Sequence, residues 1–300
     1  MRPSRLVLCA TDLGEAADEA LRQADAVCHL FDAGLLVVHA LPDPLRGHPL
    51  LPSLQQRLYT ELPALMAQAL SAASERVARV TGRGSDAFQL EAETRAPAAL
   101  ILERAEAMGA DLVVVGARNA SAGNGAALGA VAEAVVRYAH CPVLVARPSP
   151  PSGHFLAATD FSDPALPAVA AAVELVRRRR GRLSVVHSLE LPVMGAGPEV
   201  GGVGAPLPMP LSAADLGEIR RGSRERLEGV IARFGVEGDA VLTEGPPAPA
   251  IVELAERLPA ETIVVGTAGR TGIKRMLLGS VAEAVVRSAP CSVLVVRLHA

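Results

Sequence analysis

The sequence predicts a doubly wound α/β protein made of two tandem copies of one unit, each a mainly parallel sheet with helices on both faces. Three observations carry this. The segment VAEAVVR at 131–137 recurs identically at 281–287, and each copy is followed by a cysteine and then VLV. Short β-branched apolar runs bounded by glycine alternate with longer segments whose apolar residues recur at helical spacing. The chain's 300 residues also exceed one typical domain, for which about 150 residues is the usual allowance. Strands and helices that alternate at these lengths require a parallel sheet and right-handed crossovers.

In the first copy, RLVLCATD (5–12) reads as a buried strand. A helix follows from Glu15 to Phe31, with Ala17, Leu21, Ala24 and Cys28 on one face. Gly34 precedes a second strand, LLVVHA, and the proline-rich residues 41–53 read as loop. A longer helix then runs to about Val80, with Pro63 placed early in it or dividing it. FQLEAET alternates as a partly exposed strand does, Pro97 opens a third helix to Met108, and DLVVVG is the fourth strand. A fourth helix and the strand PVLVAR close the unit. RPSPPSG, Arg147 to Gly153, is a linker stiffened by three prolines. The expected domains are therefore 1–147 and 154–300, with 148–153 between them.

The second copy repeats this order. Gly116 pairs with Gly266 and Gly129 with Gly279; nearer the start, Thr11 and Asp12 pair with Thr159 and Asp160. Its first helix ends in four arginines, 177–180, read as a solvated end favoured by the helix dipole, with Gly181 as the C-cap. Residues 189–210 are rich in glycine and proline without periodicity, as mobile surface loops and ligand lids both are.

Composition narrows the function. Half the residues are apolar and a fifth are charged, enough to bury two cores. A net charge of −3 with only five Phe, two Tyr and no Trp offers neither the basic field nor the stacking platforms of a nucleic-acid binder. No run approaches the roughly 18 uncharged apolar residues of a membrane span. The run near Met1 is too short for a signal peptide, so a cytoplasmic location is expected. Cys9, Cys28, Cys141 and Cys291 show no C-x-x-C and no clustering with histidine, and read as buried thiols. His39 and His187 match across the copies but have no partner at ligand spacing, so structural histidines are expected, and no metal site.

The stretch that carries chemistry is GTAGRTGIKRMLLGS, 266–280. A strand from Thr262 to Val265 ends in glycine, a basic loop follows, and a Gly-Ser pair opens a helix in which Val281, Val285 and Ser288 fall at helical spacing and Glu283 and Arg287 form an outer pair. That order aims backbone amides and the positive end of a helix dipole at the loop, which favours an anion. Gly266, Gly269 and Gly279 allow positive φ and close approach of a phosphate. The Ser280 hydroxyl can cap the helix or donate to phosphate, and Arg270, Lys274 and Arg275 supply cations. A solvated βα loop with an ordinary Gly-Ser cap is the plain alternative, because short glycine patterns match by chance.

The spacing Gly266-x-x-Gly269, nine residues, then Gly279-Ser280 resembles the nucleotide motif of the ATP-binding universal stress proteins. The TD pair ending each first strand, the VVH in each second strand and the closing VLVV extend the resemblance over nearly the whole chain. It implies a Rossmann-like five-stranded sheet per half, of order 3-2-1-4-5. It also implies pairing of the two halves through their last strands, and ATP, with magnesium, held by Asp160, Ser188, Gly266, Gly269, Arg270, Gly279, Ser280 and Val281. In this reading Asp160 lies at the ribose, although a turn or N-cap role competes with it. Ser188 reads the adenine through its backbone.

The first copy keeps the glycine spacing without the chemistry. Asn119 stands for Gly269, Ala130 for Ser280 and Arg95 for Gly245, and the long Arg95 side chain could fill the nucleotide space. One site per chain is expected, in the second half. No P-loop, nucleophile elbow or base is recognisable, and no catalytic residue is assigned. The resemblance points to a stress-response sensor or regulator acting on a protein partner. A weak ATP hydrolase or phosphotransfer enzyme and a nucleotide-independent scaffold are the rivals.

Overall fold

The computed structural model describes residues 5–41, 52–117, 128–190, 212–267 and 278–297. In chain order the first half comprises β1 (Leu6–Thr11), α1 (Glu15–Phe31), β2 (Gly34–Leu41), α2 (Pro52–Thr81), β3 (Gln89–Thr94), α3 (Pro97–Ala107), β4 (Leu112–Gly116), α4 (Ala130–Tyr138) and β5 (Val143–Ala146). The second comprises β6 (His154–Ala158), a 3-10 turn (Asp163–Ala165), α5 (Leu166–Arg179), β7 (Arg182–Leu189), α6 (Ala213–Arg233), β8 (Asp239–Glu244), α7 (Pro247–Arg257), β9 (Thr262–Gly266), α8 (Ser280–Ser288) and β10 (Ser292–Val296). No described helix is long and apolar enough to cross a membrane.

The strands form one ten-stranded sheet in the order β3-β2-β1-β4-β5-β10-β9-β6-β7-β8. Each half is a doubly wound unit of order 3-2-1-4-5, and every pairing within a half is parallel. At the centre β5 runs antiparallel to β10, with Leu144 opposite Leu294. The central strands are buried on both faces, which is why they read as continuous apolar runs. Alternate residues feed two cores. Leu8, Val113 and Ile263 pack under α3, α4, α7 and α8, while Val7, Val114 and Val264 pack under α1, α2, α5 and α6. Both cores draw on both halves, and each fully buried Leu or Ile contributes about 1.5–3 kcal/mol.

The apolar stripe of α1 is buried as its spacing predicts, with Ala17, Leu21, Ala24 and Cys28 inside. Elsewhere the structure departs from the sequence reading. Helix α2 is continuous through Pro63 and starts at Pro52, inside the expected loop. Helix α8 buries Ala282, Val285 and Val286, whereas Val281 and Ser288 are exposed. Small alanines make the true stripe hard to see. Arg180, not Gly181, takes the left-handed conformation that closes α5. Gly181 is needed because a Cβ there would overlap the Gly153 carbonyl. The arginine run is also less free than expected. Arg177 donates to Phe234 O at 2.5 Å, Arg178 donates to Leu30 O at 3.0 Å and lies over the Phe31 ring, and Arg179 pairs with Glu261 at 2.6 Å.

The seam explains why VAEAVVR is repeated. Glu283 and Arg287 do not face solvent as an isolated pair: Arg287 reaches Glu133 of α4 at 3.0 Å and Arg137 reaches Glu283 at 3.4 Å, beside the pairs within each helix. The contact is self-complementary, each half giving the other what it receives. The arginines ending the closing strands are exchanged too. Arg147 donates to Val286 O of α8 at 2.6 Å, and Arg297 donates to Val136 O and Arg137 O of α4 at 2.6 and 2.8 Å. Both satisfy last-turn carbonyls at the negative end of a helix dipole. Burial pushes the Arg297 pKa below its ordinary value.

The four thiols are buried and reduced. Burial pushes Cys28, Cys141 and Cys291 up to about 11 and Cys9 higher still, which keeps all four protonated and unreactive near neutrality.

Replacing Arg297 with Met strands two carbonyls at the seam. The expected cost is about 1–3 kcal/mol, read as a lower urea midpoint; an unchanged midpoint would show that the exchanged arginine contributes nothing to the joint.

Candidate functional site

A cavity of about 670 Å³ lies at the C-terminal edge of β6, β7 and β9. In the strand order, β6 sits between β9 and β7, and the chain leaves β6 toward α5 on one face and β9 toward α8 on the other. A crevice opens where these exits diverge, the place where open α/β sheets bind ligands. Of the predicted residues, Asp160, Ser188, Gly266, Gly279, Ser280 and Val281 all line this cavity. Gly269 and Arg270 lie outside the described residues, as do Lys274, Arg275, the first-half Asn119 and most of the 189–210 loop.

The floor is a turn built by Thr159 and Asp160. The Thr159 hydroxyl accepts the N–H of Phe161 at 3.1 Å, and Asp160 Oδ1 accepts the N–H and hydroxyl of Ser162 at 3.0 and 2.5 Å. These bonds hold Phe161 at φ 65°, a conformation costing a non-glycine residue roughly 1–2 kcal/mol. The first half has the same turn, with Leu13 N–H on Thr11, Gly14 N–H on Asp12 and Leu13 at φ 62°. The TD pair thus has a structural task in both halves. The matched histidines have one as well: His187 Nδ1–H donates to Thr159 O, and His39 Nδ1–H to Thr11 O, each at 2.8 Å.

At the second wall Ser188 ties two strand ends together. Its hydroxyl donates to Gly245 O at 2.8 Å, while Gly245 N–H donates to Leu189 O at 2.9 Å. Gly245 has φ 100°, which only glycine adopts readily. The first half carries Ala40 and Arg95 at these positions, so this latch is particular to the second. Arg95 forms ion pairs with Glu103 at 2.8 Å and Glu93 at 3.9 Å. Beside the latch, a hydrogen bond from Arg220 holds the exposed Glu244 carboxyl below the usual carboxylate range.

A further wall is the start of α8. Gly279 is the N-cap, with φ −65° and ψ 148°, so the positive φ expected from the sequence is not used there. Its N–H is committed to Thr267 O at 2.8 Å, closing the neck of the loop, and a Cβ would stand 3.2 Å from that oxygen. Gly129 closes the first-half loop on Ala117 O in the same way. Because Glu283 is the first residue to bond back to Gly279, the amides of Ser280, Val281 and Ala282 have no acceptor within the helix. All three residues line the cavity, Ser280 sitting one residue past the cap position.

Sequence reasoning missed the wall supplied by Phe161 and α6. Ile219, Ser223 and Arg226 line the cavity from one face of that helix. The Arg226 guanidinium lies 4.9 Å over the Phe161 ring, and that ring lies 4.2 Å from the ring of His187. The helical spacing of the three α6 residues was available in the sequence, but nothing local distinguishes it from a solvated face. Among the described residues no three His, Cys, Asp or Glu side chains converge as a metal site.

A model described as the universal stress protein family matches this chain twice, over residues 4–147 and 152–297. A universal stress protein of Methanocaldococcus jannaschii is 47% identical over 73 residues, 24% of this chain and 43% of that protein. One from Mycobacterium tuberculosis is 31% identical over 193 residues, 62% of this chain and 61% of its own length. The matches therefore span about two-fifths to three-fifths of these curated relatives. The crystal structure of a universal stress protein from Archaeoglobus fulgidus covers 98% of this chain and 99% of its own with a TM-score of 0.66; at 22% identity it speaks for the fold.

Gly116 separates packing from ligand binding. A Cβ there would stand 2.7 Å from the Ala16 carbonyl of α1, so Gly116→Ala is expected to destabilise the protein by about 1–3 kcal/mol in thermal or urea unfolding. Unchanged stability would show that the close approach of α1 does not require this glycine.

Proposed function

The chain belongs to the universal stress protein family, and from that premise we propose that it binds ATP in its second half and acts as a nucleotide-responsive regulator of a protein partner. The observation that carries the reading is convergence. Residues far apart in sequence, Asp160, Ser188, Gly266 and Gly279–Ala282, meet around one cavity within the usual 300–1,000 Å³ range for small-molecule sites.

The residues suit a nucleotide. Three amides without an acceptor inside the helix and a hydroxyl at the start of α8 match a phosphate group, and the helix dipole favours its charge. Asp160 sits at the strand end where carboxylates of nucleotide folds meet ribose hydroxyls, and Ser188, its side chain spent on Gly245, offers its backbone to the base. Gly269 and Arg270 complete the cradle in this reading. Magnesium enters on the phosphates, since it binds mainly to substrate oxygens and water. The first half, with Ala130 for Ser280 and no Ser188–Gly245 latch, carries no comparable site and serves as the paired partner across β5 and β10. Domain limits of 1–147 and 154–300 follow. ATP acts by ordering the surface around the cavity, which biases what a partner meets.

Calorimetric titration of ATP with magnesium tests this. One site per chain is expected, weakened at least about tenfold in a Gly269→Asn, Ser280→Ala double variant that gives the second half the residues of the first, a loss in line with removing a charge-assisted hydrogen bond. No heat in the unaltered chain, or equal affinity in the variant, would overturn the assignment.

A further inference from the structure

The two halves use one arginine in opposite ways. Arg76 of α2 and Arg226 of α6 occupy the same helical position, beside the fully buried Val77 and Leu227. In the first half Arg76 grips Asp18 of α1 along one edge, Nε and Nη2 donating to the two carboxylate oxygens at 2.6 and 2.8 Å. Just past the end of α2, Arg83 holds Asp25 of α1. The Asp18 contact is bidentate and the Asp25 contact runs through Nε alone; together they tie α2 and the residues just after it to α1, and Ala73 of α2 is fully buried.

The second half lacks the acids. In the register that matches left-handed Leu13 with Phe161 and Asp32 with Arg180, Asp18 corresponds to Leu166 and Asp25 to Val173. Helix α6 therefore lacks these acid clamps, and Ser223, the counterpart of buried Ala73, lines the cavity instead. Arg226 pairs with no carboxylate among the described residues, and its guanidinium carbon lies 4.9 Å over the Phe161 ring at the cavity wall. A guanidinium held over an aromatic ring by cation–π attraction keeps its N–H donors available for a phosphate oxygen. The start of α8 lies in the opposite helix layer, so the cavity has donors on both sides.

We propose that Arg226 is a phosphate-binding residue of the second-half site, released for that task because Leu166 stands where Asp18 stands in the first half. This rests on the nucleotide reading and adds to it: the ligand is recognised as a polyanion from two sides, and the first half is silenced partly by an internal carboxylate that takes its arginine.

The test compares the unaltered chain with Arg226→Met and Leu166→Asp, each checked for unchanged cooperative melting, in titrations with ATP and with adenosine. Leu166→Asp keeps the arginine but offers it the partner that Arg76 has, and an acid in the first turn suits the α5 dipole. ATP affinity is expected to fall about three- to tenfold in both variants, a modest loss because Arg226 is exposed, while adenosine affinity stays within about twofold. Equal losses for ATP and adenosine would reduce Arg226 to a wall residue and overturn its role. A loss in Arg226→Met without one in Leu166→Asp would overturn the release by Leu166. If the unaltered chain binds adenosine and ATP with identical affinity, no phosphate is read and the inference fails. If it binds neither, the nucleotide reading itself fails.

Discussion

The antiparallel pairing of β5 with β10 is the constraint on which the rest of the molecule depends. It joins two five-stranded sheets whose central edges would otherwise expose apolar residues and unpaired backbone groups. It also fixes which helices meet. Helices α4 and α8 come together over the seam, so the same seven residues serve both halves as one self-complementary surface. The exchange of Arg147 and Arg297 follows from the same two-fold relation: each closing strand delivers its terminal cation to the helix of the opposite half. The two cores run through this joint without a break, so neither half's sheet ends in solvent at the centre.

With the joint symmetric, the differences between halves concentrate at the C-terminal strand edges. Much of what marks a nucleotide fold there is architecture shared by both copies. The Thr-Asp turn, the His Nδ1 bond and the glycine closing the loop neck recur where the motif is incomplete. Features confined to the second half are fewer and more telling: Ser280 at the first helical position, the Ser188–Gly245 latch, and a helix α6 that is not clamped down by acids on its neighbour. A site can be lost from a duplicated domain without loss of fold because these residues lie outside the cores. Gly116 illustrates the point, since contact with Ala16 requires it whatever the loop binds.

The sequence made the alternation of elements, the duplication and the strand-end positions of Asp160, Ser188 and Gly266 legible because these are periodic or local. The buried stripe of α1 was readable for the same reason. Features set by distant partners were not. Glu283 and Arg287 look like an outer pair until α4 is placed beside them, and the arginines at 177–179 look solvated until Leu30, Phe234 and Glu261 come within reach. Gly279 does not use the positive φ its residue type allows, because a glycine can be required by space as well as by φ. Arg226 was invisible because its significance lies in the absence of an acid on another helix.

The central claim is one nucleotide per chain, seated between the Asp160 turn and the start of α8. A crystal structure of the chain grown with ATP and magnesium tests it most directly. The account predicts a single nucleotide in the second half, with phosphate oxygens on the amides of Ser280, Val281 and Ala282 and a ribose at Asp160. A nucleotide seated in the first half, or a second-half cavity left empty at saturating ATP, would contradict it.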